Sequence, residues 1–137
     1  MKDVIGNTIE VGSIVAFIDA RDVYNVSIRR ANVIGVKNGM LQCRDGDQLL
    51  QNKENNGIYN KVVRIPSEGT VEDDTVDAVG QLLEVGKRIV ARMDRSVNDK
   101  KQFTGPYTIT RITNSFVYFN NEEGKEVRKG FNRVVVV

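Results

Sequence analysis

Apolar and polar residues alternate along this chain in short runs, separated by turns rich in glycine and asparagine. Alternation at period two is the mark of half-buried β-strands. In the first half the runs fall at residues 14–18, 28–36, 40–44, 47–51 and 62–65. Asn38-Gly39 sits between two of them and predicts a tight hairpin, because both central residues of a type I′ turn need positive φ. Asp45-Gly46 predicts the next turn, and Pro66 ends the fifth run. The second half gives runs at 88–93, 107–112, 116–120, 125–129 and 134–137, with turns expected at Gly105-Pro106, Asn114-Ser115 and Glu123-Gly124. A single helical turn is expected before each last strand. No stretch keeps an apolar stripe at helical period for three turns; the one amphipathic candidate, residues 75–83, is interrupted by Gly80.

The two halves repeat one another. Asp3-Val-Ile-Gly-Asn-Thr-Ile-Glu-Val-Gly returns as Asp77-Ala-Val-Gly-Gln-Leu-Leu-Glu-Val-Gly, each followed by an apolar strand. Equivalent positions are offset by 74 at Gly12 and Gly86, 76 at Asn38 and Asn114, and 72 at Asn60 and Asn132. The length changes fall in loops, as a repeated fold permits. This predicts one module at residues 1–66, an acidic linker at 67–76 and a second module at 77–137. Alternation assigns Val15, Phe17, Ala31, Val33, Leu41 and Cys43 to the first core. It assigns Ile89, Ala91, Tyr107, Ile109, Val117 and Phe119 to the second. Cys43, equivalent to Phe119, is read as a buried small hydrophobe rather than a reactive thiol.

Five short strands, a long first loop, tight central hairpins and a helical turn before the last strand predict an all-β chain of two tandem five-stranded SH3-like barrels. The glycine after Glu-Val, with the alternating strand that follows, resembles KOW- and Tudor-type modules. The Asp-x-x-Gly-x-x-apolar-Glu-Val-Gly opening is similar to small accessory proteins of large tailed bacteriophages. That resemblance implies a phage-encoded protein, working in the cytoplasm of a host cell on transcription or DNA metabolism. The expected glycine between the first two strands of a KOW module has no clear match in residues 19–27 or 94–105.

Charge and composition narrow the chemistry. The net charge of +2 is unevenly spread: residues 67–76 carry four acids and no base, while 77–137 carry eleven bases against seven acids. With no histidine and one cysteine, the usual general base and the Cys-His pair are both missing. There is no Gly-rich phosphate loop. The chain reads as non-catalytic and without a cofactor. Acidic runs at 72–74 and 122–123 have oxygen ligands for a hard metal, but read as solvated charge in a linker and a turn, so no metal site is assigned. A lone cysteine fits a reducing interior, and no charged-then-apolar leader or membrane-length apolar run is present.

The basic second module is the functional lead. Candidate nucleic-acid-binding residues are Lys87, Arg88, Arg92, Arg95, Lys100, Lys101, Arg111 and Arg128, with Phe116 and Tyr118 as stacking groups. Arg88 and Arg92 alternate with the core set and are expected to point outward together. Phe116 and Tyr118 lie on the outer face of their strand, where they either stack bases or peptide groups or cover an interface between the barrels. Two function classes follow. The first is nucleic-acid binding, with DNA favoured over RNA. The second is a protein-interaction module that inhibits or redirects a host or phage protein through an exposed strand edge or the long first loop. Self-association is a third role, testable by mass. Function is expected where the copies differ: the loop at 94–101, Phe116 and Tyr118, and the insert at 52–56.

Overall fold

The computed structural model describes residues 1–20, 26–66, 74–92 and 102–137, and the chain is all-β. Five strands come from each half: β1 (Ile14–Ala20), β2 (Val26–Lys37), β3 (Met40–Asp45), β4 (Gln48–Lys53) and β5 (Val62–Arg64), then β6 (Arg88–Arg92), β7 (Phe103–Ile112), β8 (Phe116–Asn120), β9 (Glu126–Gly130) and β10 (Val134–Val136). They form two antiparallel sheets, β4-β3-β2-β1-β5 and β10-β6-β7-β8-β9, which are the same strand order read twice. Each fifth strand pairs back onto the first strand of its own half. The described residues contain no strand pair that closes either sheet on itself. A 3₁₀ turn at Phe131–Arg133 precedes β10, where a helical turn was expected.

The repeated opening motif works through its aspartate. Asp3 is fully buried, and its Oδ1 accepts the backbone N–H of Ile5 and Asn7 at 3.1 and 2.8 Å while Oδ2 accepts that of Arg64 at 2.8 Å. Asp77 repeats this with Val79 and Gln81 at 2.9 Å each and Val136 at 2.8 Å. One carboxylate thus closes a turn and fastens the fifth strand to it. Gly12 and Gly86 both sit at φ +93°, the left-handed region that glycine fills without strain. Their N–H groups donate to Val33 and Ile109, which ties each motif to the second strand of its sheet. In the second copy the hydrogen-bond pattern reaches back to Thr75. Thr75 accepts the N–H of Leu83 as Met1 accepts that of Ile9. The rest of the acidic linker, residues 67–73, lies outside the described residues.

The two inward faces are those the alternation predicts. Val15, Phe17, Ala31, Val33, Leu41 and Cys43 share one cluster with Ile9, Leu50, Tyr59 and Val62. Ile89, Ala91, Ile109, Val117 and Phe119 share another with Leu83, Val134 and Val136, and Tyr107 packs against it. A third cluster was not anticipated. Ala16, Ile18, Val63 and Ile65 of the first half meet Val79, Val90, Phe103 and Val135 of the second. These residues alternate with the inward ones, so β1 and β5, like β6 and β10, are buried on both faces. The apolar pairs within the repeated motif, Val4-Ile5 and Ala78-Val79, join the same seam.

Gly105-Pro106 is not a turn. β7 begins at Phe103 and runs through both residues, which fall in a register shift: Ile89 pairs with Tyr107, and Ala91 with Thr104. The bulge leaves Pro106 outside the ladder, so its missing N–H costs no strand hydrogen bond. By contrast Asn38 and Gly39 have φ of +54° and +75°, as their hairpin requires.

A cationic and aromatic face as the candidate functional site

The seam decides which basic residues remain available. Val90 lies between Arg88 and Arg92 on β6 and is fully buried in the seam, so this face of β6 does not open to solvent along its length. Arg92 is half-buried, and its Nη1 donates to the carbonyl oxygen of Val26 at 2.9 Å. It fastens one half to the other instead of pointing outward with Arg88. Only Arg88 is exposed, opposite Thr108 of β7. Lys87 is held by its own turn: Nζ donates to the Leu82 carbonyl at 3.0 Å and pairs with Glu84 at 3.2 Å. Arg95, Lys100 and Lys101 lie outside the described residues.

The remaining four candidates come together on β7, β8 and β9. Val117 and Phe119 turn inward on β8, so Phe116 and Tyr118 must turn outward. Arg111 of β7 and Arg128 of β9 stand opposite Tyr118 on its two sides. Arg111 reaches that position through a register shift between Ile109 and Arg111. The Arg111 guanidinium carbon lies 3.9 Å from the centre of the Tyr118 ring, and that of Arg128 lies 4.3 Å from the centre of the Phe116 ring. Both distances are within cation–π range. Opposite Phe116 stands Gly130, which places no side chain beside the ring. Arg111 also pairs with Glu126 at 3.2 Å, both side chains being about half exposed.

These aromatics do not belong to the seam between the halves, whose buried members come from other strands. They stay half-exposed beneath exposed arginines. The first module builds the same backbone with different chemistry. Gly35, Gln42 and Gln51 occupy the row that Arg111, Tyr118 and Arg128 occupy in the second, and Gln51 donates to Gln42 at 3.3 Å. Two of its arginines are engaged elsewhere. Arg29 donates to Asp19 at 2.7 Å and to Asp45 at 3.3 Å, and these hydrogen bonds to carboxylates, Asp19 foremost, hold the guanidinium more firmly charged than usual. Arg30 donates to the Val79 carbonyl across the seam.

Two other places carry functional groups. Cys43 is fully buried, and burial pushes its thiol up to about 12, which leaves it unreactive. Beside β9 a cavity of about 330 Å³ is lined by Ala91, Tyr107, Phe119, Val127, Glu122 and Lys129. Tyr107 and Phe119 stack there with ring centres 4.5 Å apart, and the Tyr107 hydroxyl donates to Glu122 at 2.6 Å. Burial, and then this bond to a carboxylate, raise the Tyr107 pKa. Ala91 in its wall stands where the first copy has Phe17, while Tyr107 and Phe119 stand where it has Ala31 and Cys43. The insert at 52–56 is structural at its start: Asn52 is buried and accepts the Lys61 N–H at 3.0 Å. Among the described residues there is no group of three or more acidic or cysteine side chains arranged to hold a metal ion, and no helix long and apolar enough to cross a membrane. No family model, curated protein or solved structure matches the chain.

Proposed function

We propose that the two sheets are SH3-like small barrels of the KOW or Tudor type, and that the second binds nucleic acid as a non-catalytic accessory module. The barrel reading is supported by the shared strand order, in which the fifth strand returns to the first. The binding reading is carried by one observation: Arg111 over Tyr118 and Arg128 over Phe116, side by side on an open sheet face. Cations there can meet phosphates while aromatic and guanidinium planes meet bases. Arg88 extends the charge toward β6. A role in transcription or DNA metabolism of a phage, in a host cytoplasm, accords with the opening motif.

Fluorescence anisotropy with a labelled oligonucleotide tests the reading. Binding should weaken steeply between about 50 and 200 mM salt. Charge reversal at Arg111 and Arg128 should abolish it while the thermal melt stays unchanged. Affinity indifferent to salt, or intact in that double variant, rejects the reading. The alternative, capture of a protein segment, is favoured by the half-apolar cavity beside the edge strand β9. A partner retained from host lysate after nuclease and moderate salt, and lost on filling the cavity with Ala91→Phe, would support it.

A further inference from the structure

The geometry of the cationic face points to a narrower ligand, and this step rests on the nucleic-acid reading above. We propose that the face takes single-stranded polynucleotide, not duplex, with bases stacking on the two guanidinium–aromatic pairs. Phe116 and Tyr118 are alternate residues of one strand, so their anchor points are about 6.7 Å apart. Successive bases of a duplex strand are about 3.4 Å apart and bury their faces against each other. Two rings at twice that spacing cannot both stack on bases that remain stacked in a duplex. They can on a strand whose bases are drawn apart.

The arginines reinforce the choice. A duplex offers phosphates and base edges, which reward flexible point charges and side chains that reach into a groove. Here each guanidinium lies over a ring instead of extending from the sheet. Its outer face is a platform on which a base can stack, as guanidinium planes do with unpaired bases, and apart from the Arg111 Nη2 already bonded to Glu126 its N–H groups lie at the rim toward phosphate oxygens. Gly130 leaves the side of Phe116 unobstructed, so the bases meet no wall there. The first module, with Gly35, Gln42 and Gln51 at the same positions, has neither plane nor charge in this row and should contribute nothing.

The test compares labelled dT12, rU12 and a 12-base-pair DNA duplex on the full chain, against the double variant Arg111→Lys, Arg128→Lys. Lysine keeps both charges and removes both planes. Wild type should bind the better single strand about tenfold or more above the duplex, and the lysine variant should lose about tenfold on that strand with its salt slope unchanged. The tighter of dT12 and rU12 names the sugar. Duplex binding equal to single-strand binding, or a lysine variant equal to wild type, overturns the single-strand assignment and leaves the nucleic-acid reading standing. Failure of all three probes to bind overturns both.

Discussion

Replacing Asp77 by alanine removes the acceptor for three backbone N–H groups and one side-chain amide. The carboxylate takes Val79 and Gln81 N–H on Oδ1, and Val136 N–H with the Gln81 amide on Oδ2, all between 2.8 and 3.0 Å. Asp77, Val79, Gln81 and Val136 are each no more than 6% exposed, so water does not easily replace the lost oxygen. A buried donor left unsatisfied costs about 1–3 kcal/mol. The Gln81 amide keeps a second acceptor at Val136, so three backbone donors count fully. The expected loss is about 4 kcal/mol or more, against a total stability on the order of 7–20 kcal/mol for a chain of this length. Asp77→Asn keeps one acceptor oxygen but turns an amide toward Val136 and Gln81, both donors, and should cost about 2–4 kcal/mol.

The repeat supplies its own control. Asp3 makes the matching three bonds, but Asn7 is exposed and sends no side chain back to the carboxylate as Gln81 does. Asp3→Ala should therefore cost less than Asp77→Ala, by about 1–2 kcal/mol. Urea unfolding followed by circular dichroism on the three single variants measures the order directly. The reasoning fails if Asp77→Ala falls within 1 kcal/mol of wild type, a margin well below the expected cost, or if the Asp3 variant is the weaker.

Other positions yield sharper contrasts. Gly12→Ala and Gly86→Ala should each cost about 1–3 kcal/mol, because φ is +93° at both while an added Cβ meets nothing within 4 Å; equal losses in a urea melt indicate conformational strain alone. Val90→Ala in the seam should cost about 2 kcal/mol, whereas Val85→Ala, 62% exposed, should stay within about 0.5 kcal/mol; equal effects would show that the seam contributes no stability. The Cys43 thiol rises from its ordinary 9.0 to about 12, and burial raises Tyr59 and Tyr107 as well, so the folded state holds these protons more tightly than the unfolded chain does. Their stabilisation is complete below the ordinary values and is lost as pH climbs toward the raised ones. The urea midpoint should fall between about pH 9 and 12, and at pH 8 a thiol reagent should label Cys43 only as fast as the chain unfolds.

The strands and both inner faces were readable because period-two alternation reports burial on one side of a sheet. It does not report burial on the other side. Ala16, Ile18, Val63 and Val90 are apolar on the supposed outer face, and this is why residues 14–18 and 134–137 read as unbroken apolar runs. A continuous run is the signature of a strand covered on both faces. Read that way, the runs locate the seam and place Arg92 beside it. What no pattern reveals is the partner on which a long side chain settles. Arg92 and Arg111 are both arginines on alternating strands; one reaches a carbonyl of the other half and the other lies over a ring. The bulge at Gly105-Pro106 was hidden for a related reason, since a turn and a bulge use the same residues and only the partner strand distinguishes them.

The repeat separates what the fold needs from what it does not. Asp3 and Asp77, Gly12 and Gly86, and the apolar pairs after each aspartate agree in type and serve the same bonds in both halves. Where the halves disagree, the difference has two causes. Ile14 and Ile18 of the first copy stand where Arg88 and Arg92 stand in the second. Arg92 is explained within the molecule, by its bond to Val26 across the seam. Gly35, Gln42 and Gln51 against Arg111, Tyr118 and Arg128 is not so explained. The first copy folds the same three strands without those side chains, and in the second they lie outside all three buried clusters. Half-exposed rings and exposed guanidinium groups give the fold less than buried apolar residues at the same positions would. The polynucleotide proposed for this face would account for them.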